Sequence, residues 1–263
     1  MMTTIYDSHT HLNDDVFYND IPAYLARAHH YDVREMNIVG SDTKLNQRAL
    51  ELAKTYEGLH AVIGWHPEEV LQATQEQLDL LAQQLTDPTV VAVGEIGLDY
   101  YWDQTHQREQ QALLAAQIEL ANQFKLPIVV HTREALAETY EFLKSHPVMA
   151  GGVIHSFSGD WAWAKRFLAL GFDLSFSGVA SFHKATELHA VAQRVPADRF
   201  FVETDAPYLT PMPYRGKQNE PGFTNLVAQA VAELRQTDLA TIAELTTTNA
   251  RRLFCKEVDN AKD

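Results

Sequence analysis

Along the whole chain, short apolar runs alternate with longer stretches in which apolar residues recur three and four positions apart. The first pattern reads as strand and the second as amphipathic helix. Eight strands are predicted, at residues 5–8, 36–39, 61–63, 90–93, 128–130, 153–154, 173–176 and 200–202. Helices are predicted at 43–56, 74–85, 106–124, 135–145, 161–170 and 184–194, with two more at 225–235 and 239–253 beyond the eighth strand. Regular alternation of strand and helix builds a parallel sheet. Eight such units in 263 residues, about 33 residues each, predict an α/β chain forming a single (β/α)8 TIM barrel over residues 1–263. No linker, composition shift or charge block divides it. An open doubly wound sheet is less well supported, because no G-x-G-x-x-G or G-x-x-x-x-G-K run follows a strand.

A barrel carries its chemistry at the C-terminal ends of its strands. Those positions hold His9 and His11 after strand 1, Glu95 after strand 4, His131 after strand 5, His155 after strand 6 and Asp205 after strand 8. All are metal-ligand types. His9 and His11 are two apart, so on extended chain both face one side and can grip one ion together. Glu95 offers a carboxylate that could bridge two ions. A lone histidine after a strand is more often a hydrogen-bonded structural residue, but six ligand types at five strand ends make coincidence a weak account. Imidazole with carboxylate suits several divalent metals. His29, His30, His106, His146, His183 and His189 fall in helical patterns or their caps, and His60 opens strand 3 on the stability face of the barrel. His66, in the run GWHPE, is open between a loop role and an outer role at the site. The longest irregular stretch, 206–222, is expected to border the site.

Composition narrows the partners. The formal net charge is -14, from 35 acidic and 21 basic residues, and no basic stripe of the kind that tracks duplex DNA is present. A phosphoester substrate would have to be attracted by bound metal ions instead. Hydrophobic residues at 46% supply an ordinary globular core. The single cysteine, Cys255, cannot form an internal disulfide and reads as a small apolar side chain near a helix end. With no run long enough to span a bilayer and an N-terminus lacking signal features, a cytoplasmic protein is expected, free of membrane and monomeric.

The motifs, taken in order, resemble the TatD family of metal-dependent hydrolases across nearly the whole chain. They are DSHTHL at 7–12, GWHPE at 64–68, GEIGLDYY at 94–101, LPIVVHTR at 126–133, HSFSG at 155–159, ETDAPYL at 203–209, NEP at 219–221 and TTNARRLF at 247–254. The resemblance implies a metal-dependent phosphoesterase, a deoxyribonuclease acting from the 3′ end of DNA, on single-stranded or frayed ends. It also implies two divalent ions (magnesium, manganese or zinc), with His9, His11 and Asp205 on one, His131 and His155 on the other, and Glu95 bridging. This chain departs from the family pattern with Ser156 where many relatives have Cys, Gln218 where they have Arg, and Glu68. Loss of an Arg at Gln218 removes a planar phosphate donor.

Two metals about 3.5 to 4 Å apart activate water and stabilise both the attacking and leaving oxygens of a phosphoryl displacement. The expected mechanism is attack by metal-bound hydroxide, with Asp205 and Glu95 as the catalytic carboxylates and Asp205 orienting the hydroxide or taking its proton. Arg133, Arg215, Lys217 and Asn219 are the candidate substrate contacts. Tyr100, Tyr101, Trp102, Phe157 and Trp161 could stack on bases or simply pack loops. The competing enzyme reading is an amidohydrolase or deaminase acting on a small molecule at the same site. Glu95 argues against it, since many binuclear amide hydrolases place a bridging Lys there. A non-catalytic metal-binding protein is the third reading.

Overall fold

The protein, seen in a computed structural model, is described at residues 4–102 and 104–255, so residues 1–3, 103 and 256–263 of the predicted domain lie outside the described residues. All eight strands form: β1 (Ile5–Thr10), β2 (Val33–Val39), β3 (Leu59–Ile63), β4 (Val90–Asp99), β5 (Ile128–Arg133), β6 (Gly152–Ile154), β7 (Phe172–Phe176) and β8 (Phe200–Val202). They are parallel and pair strictly in chain order. β8 meets β1 at the mouth, where the Asp205 N–H donates to the His9 carbonyl at 2.9 Å and the His11 N–H to the Ala206 carbonyl at 2.9 Å. The chain is a (β/α)8 barrel.

Ten α-helices surround it among the described residues: α1 (Asp15–Tyr18), α2 (Ile21–His30), α3 (Thr43–Thr55), α4 (Gln75–Gln84), α5 (Gln107–Phe124), α6 (Leu136–Ser145), α7 (Trp161–Ala169), α8 (Thr186–Arg194), α9 (Thr224–Arg235) and α10 (Leu239–Phe254). The helical pattern or cap to which His29 and His30 were assigned is α2, with Ile21, Leu25 and Ala28 buried at spacings of four and three. Helix starts follow ordinary capping rules: Asp42, Asp160 and Asp238 each accept from the backbone N–H three residues on.

The core has two parts. The larger lies between sheet and helices, and the smaller fills the barrel with Tyr6, Val39, Val62, Ala92, Val129, Val153 and Phe201. Phe254 and Ala250 of α10 close the lower end. The Thr247 hydroxyl donates to the Thr4 carbonyl and accepts from the Tyr6 N–H, while Asn249 donates to the Ala197 and Phe200 carbonyls. The TTNARRLF run is thus a structural plug. Cys255 ends α10 half-buried against this cluster.

Three strands run further than their apolar stretches suggest. β1 continues to Thr10, so His9 lies within it, and β4 continues to Asp99 and β5 to Arg133, so Glu95 and His131 lie within strands and not after them. Gly97 makes this possible: at φ +154° it brings β4 against β5, and a Cβ there would meet the His131 carbonyl oxygen at 1.9 Å.

Candidate metal centre

His9 and His11 turn their rings to one side, as their spacing of two requires, with Nε2 atoms 3.3 Å apart. Asp205 joins them because its backbone N–H is tied to the His9 carbonyl. Its φ of 56° lies in the left-handed region, which Asp tolerates better than most residues. Asp205 Oδ1 lies 3.7 Å from His9 Nε2 and 3.4 Å from His11 Nε2. On the other side His131 Nδ1 and His155 Nε2 are 3.4 Å apart.

Glu95 stands between the two groups. Its Oε2 faces His9 Nε2 at 3.4 Å and His11 Nε2 at 3.7 Å, while Oε1 faces His131 Nδ1 at 2.7 Å and His155 Nε2 at 2.8 Å. Each oxygen of one carboxylate therefore addresses its own pair of imidazoles. All six side chains predicted as metal ligands come together.

Outer partners hold the rings. His131 Nε2 meets Asp99 Oδ2 at 2.9 Å, His11 Nδ1 meets the Val39 carbonyl at 2.9 Å, and His155 Nδ1 lies 3.3 Å from Glu203 Oε1. Glu203 in turn accepts from the Ser156 N–H at 2.7 Å and from the Ser175 and Ser8 hydroxyls. Such carboxylate–imidazole pairs fix ring orientation and tautomer at metal sites. Asp99 and Glu203 were not singled out from sequence, although the alternation of Glu95, Gly97 and Asp99 puts both carboxylates of β4 on one face. His66 is also present, its Nε2 3.7 Å from Glu95 Oε1, and burial together with His131 pulls its pKa down to about 3.

Burial pushes the Glu95 carboxyl up, but His155, His9 and the hydrogen bond from His131 outweigh it and hold it well below the usual range. For Asp205 too, burial is outweighed by the hydrogen bond with His11 and the His155 and His9 rings, leaving it lowered. Burial and His155 lower the His9 pKa, favouring the neutral, ligand-competent ring. Four imidazoles and two carboxylates converge here with no Lys or Arg paired among them, and two pairs of ring nitrogens approach each other within 3.4 Å. His9 Nδ1 is buried without a hydrogen-bond partner. A divalent cation satisfies this nitrogen and oxygen set better than protons do, so the residues fit a metal. Among the described residues another donor group, Glu35, His60 and Cys255, sits near the opposite strand ends, where Arg251 holds the Glu35 carboxylate.

A (β/α)8 barrel with clustered imidazole and carboxylate donors at its C-terminal mouth defines a metal-dependent hydrolase. The chain belongs to the TatD family: the family model described as TatD related DNase matches residues 6–255. It is 38% identical to the uncharacterized metal-dependent hydrolase YabD of Bacillus subtilis strain 168 over 95% of this chain and 98% of that one. It is 35% identical to the uncharacterized metal-dependent hydrolase YcfH of Escherichia coli K12, covering 94% of each. The crystal structure of YjjV, a TatD homologue from Escherichia coli K12, superposes with a TM-score of 0.93 at 32% identity, covering 98% of this chain and all of that one.

The residues expected at the substrate are spread more widely. Arg133 is exposed at the end of β5, two positions from His131, with its guanidinium 3.9 Å over the Tyr101 ring. Arg215 is exposed in the 206–222 loop, lying over Phe182, and Lys217 is exposed beside Tyr214. Asn219 is fully buried, and its amide donates to the Thr204 carbonyl at 2.9 Å and the Tyr208 carbonyl at 2.6 Å. That side chain is spent on tying the loop to β8. Of the five aromatics, Tyr100 and Phe157 are core residues, Trp161 is half-buried at the start of α7, and Tyr101 and Trp102 stand exposed. Sequence reading passed over Tyr208, which is exposed with its ring 6.2 Å from that of His11. Of the departures from the family pattern, the Ser156 hydroxyl bonds the Ser177 hydroxyl at 2.8 Å, and Gln218, exposed, donates to Tyr24. Glu68 is exposed on the short 3-10 turn Pro67–Glu69.

Proposed function

We propose that this metal-dependent hydrolase is a two-metal phosphoesterase that removes nucleotides from single-stranded or frayed 3′ ends of DNA. The observation that carries this reading is the division of Glu95, whose two oxygens face two separate imidazole pairs. On this reading His9, His11 and Asp205 would hold one divalent ion and His131 and His155 the other, with Glu95 available to both. Magnesium, manganese and zinc all accept such donors. When bound, the ions supply Lewis acidity toward phosphoryl oxygens and make water a nucleophile at neutral pH.

The protein's own groups do the rest. Asp205, held ionised, orients the attacking water and takes its proton on a carboxylate oxygen as the water oxygen bonds to phosphorus and the phosphorus–O3′ bond breaks, and O3′ leaves as the alcohol after taking a proton from solvent. Glu95 keeps the two donor groups in register. Asp99 and Glu203 hold His131 and His155 in place, and Arg133 at the mouth is the positive group placed to meet a non-bridging phosphate oxygen. The family description supports DNA as the substrate. Glu95 at the centre favours phosphoryl transfer over amide hydrolysis.

The test is release of nucleotide from 3′-labelled single-stranded DNA by metal-stripped protein refilled with magnesium, manganese or zinc, alongside Glu95→Ala and His131→Ala. Metal-dependent release lost in both variants supports the proposal. No release with any metal, at about two ions bound per chain, removes the nuclease reading and leaves small phosphoesters and then amides to be tried.

A further inference from the structure

Beside the centre, two large aromatic side chains face solvent. Tyr101 is 51% exposed and Trp102 66% exposed, with ring centroids 4.7 Å apart at 85°. Exposed aromatics cost solubility, and on a monomeric surface such a pair commonly marks a binding site. The Arg133 guanidinium lies 3.9 Å from the Tyr101 centroid and 5.2 Å from that of Trp102, so a cation is stacked into the same patch.

This platform is fixed to the metal centre by one residue. Asp99 Oδ1 accepts from the Tyr101 N–H at 2.9 Å, while Asp99 Oδ2 meets His131 Nε2 at 2.9 Å. Asp99 also pairs in register with Arg133 across β4 and β5. Its backbone is clamped in both directions by Gln110, whose amide oxygen accepts from the Asp99 N–H and whose amide nitrogen donates to the Asp99 carbonyl, each at 2.9 Å. The position of the aromatic pair relative to His131 is therefore set by a buried carboxylate and a buried glutamine, not by a free loop.

We propose that Trp102, backed by Tyr101, is a nucleobase-stacking subsite and that Arg133 beside it takes the phosphate of the same nucleotide. The proposal rests on the phosphoesterase reading and deepens it: the substrate is recognised as a nucleotide through the face of its base, without reading which base it is. Every base has a π face, so the subsite is indifferent to sequence, and loss of one stacking partner weakens binding by about 5- to 150-fold. A guanidinium adds the second requirement, an anion one nucleotide's width from the ring.

The experiment measures equilibrium affinity, so turnover is not required. Dye-labelled single-stranded oligothymidylate with phosphorothioate linkages, and the same strand with abasic residues at its 3′ end, are titrated by fluorescence anisotropy against manganese-loaded protein. The readout is the ratio of base-bearing to abasic affinity for the wild type, Trp102→Ala, Trp102→Phe, Tyr101→Ala and Tyr208→Ala. The expected result is a ratio of at least five in the wild type that falls toward one in Trp102→Ala and recovers in Trp102→Phe. A wild-type ratio near one, an unchanged ratio in Trp102→Ala, or a fall in Tyr208→Ala alone overturns the proposal. Base-dependent binding that Trp102→Ala abolishes, in a protein that cleaves no DNA, keeps the subsite and removes the nuclease reading. Cleavage of base-bearing and abasic ends with equal affinity removes the subsite and keeps the nuclease.

Discussion

Replacing Asp99 by Asn changes one oxygen to nitrogen and should cost a metal ligand. In the native protein Asp99 Oδ2 can only accept, so the proton of a neutral His131 sits on Nε2, 2.9 Å away, and Nδ1 is left with its lone pair toward Glu95 and His155. Asn keeps Oδ1 as the acceptor for the Tyr101 N–H, which leaves the NH2 group facing His131. Two donors cannot face each other, so the ring changes tautomer and Nδ1 becomes protonated. A protonated Nδ1 cannot bind a cation. The lost charge-assisted hydrogen bond is worth about 1.5–3 kcal/mol, or roughly 12- to 160-fold, and outer partners of metal ligands typically affect affinity by about 10- to 100-fold. The expected outcome is a 10- to 100-fold fall in affinity at one ion per chain, with the fold intact because Asp99 is buried and the side chain is isosteric. Competition of zinc or manganese against a chelating dye, with circular dichroism as the fold control, measures it. Binding of both ions within twofold of the wild type would refute the argument that Asp99 sets the tautomer of His131.

Three further changes test the supporting structure. Glu203→Leu removes the acceptor shared by the Ser156 N–H and the Ser8 and Ser175 hydroxyls, of which Ser8 keeps the Val202 carbonyl, Ser156 keeps the Ser175 hydroxyl and the Ser175 hydroxyl loses its acceptor; it should destabilise by about 1–3 kcal/mol in urea unfolding, and a loss under about 1 kcal/mol would show that the Ser175 hydroxyl finds another partner. Asn219→Ala strips two carbonyls of their donor; a loss of about 2 kcal/mol and faster proteolytic cutting within 206–222 are expected, whereas an unchanged cutting rate would show the loop is held elsewhere. His60 stacks at 5.7 Å and 5° on Tyr6 with Nε2 buried and unpartnered, and burial lowers its pKa below the ordinary 6.5. The unfolded chain then takes up the proton first, so the stability His60 provides is complete above about pH 6.5 and is lost as pH falls toward the folded pKa. His60→Phe keeps the stacking and removes the titrating group. The fall in urea midpoint between pH 7.5 and 5.5 should be smaller in the variant, and equal falls would rule His60 out as a source.

The barrel was legible because period-2 and period-3.6 patterns are local, and eight repeats of the pair leave few alternatives. Strand ends were less so, because β1, β4 and β5 outrun their apolar stretches once polar residues line a site: His9, Glu95 and His131 all interrupt hydrophobic runs and were read as lying after the strands. The six ligand types could be picked out because barrel topology brings strand ends to one place regardless of distance in sequence, as Asp205 meeting His9 shows. What sequence could not convey is which polar groups are already used. Asn219 and Arg133 looked equivalent as substrate contacts, yet one is fully buried and bonded to two carbonyls and the other is exposed on an aromatic pair. Hydrogen-bond saturation is a tertiary property, and residue type does not encode it.

The charge distribution bears on how such a site takes an anion. The chain carries a formal charge of -14, and Glu95, Asp99, Glu203 and Asp205 are all gathered at the mouth of the barrel. A phosphate oxygen about 5 Å from one carboxylate meets a repulsion of about 3 kcal/mol at an effective dielectric of 20. Several such carboxylates line the centre, and Arg133, two positions from His131, is the basic side chain the proposal places at the phosphate. One guanidinium cannot offset several carboxylates. The same carboxylates are the groups that neutralise divalent ions, so each ion bound at the centre converts repulsive positions into attractive ones. On the proposed phosphoesterase reading, substrate affinity should therefore be conditional on metal loading. On the proposed subsite the aromatic pair at Tyr101 and Trp102 supplies the part of recognition that does not depend on charge, so the two terms should separate when base and phosphate are varied independently.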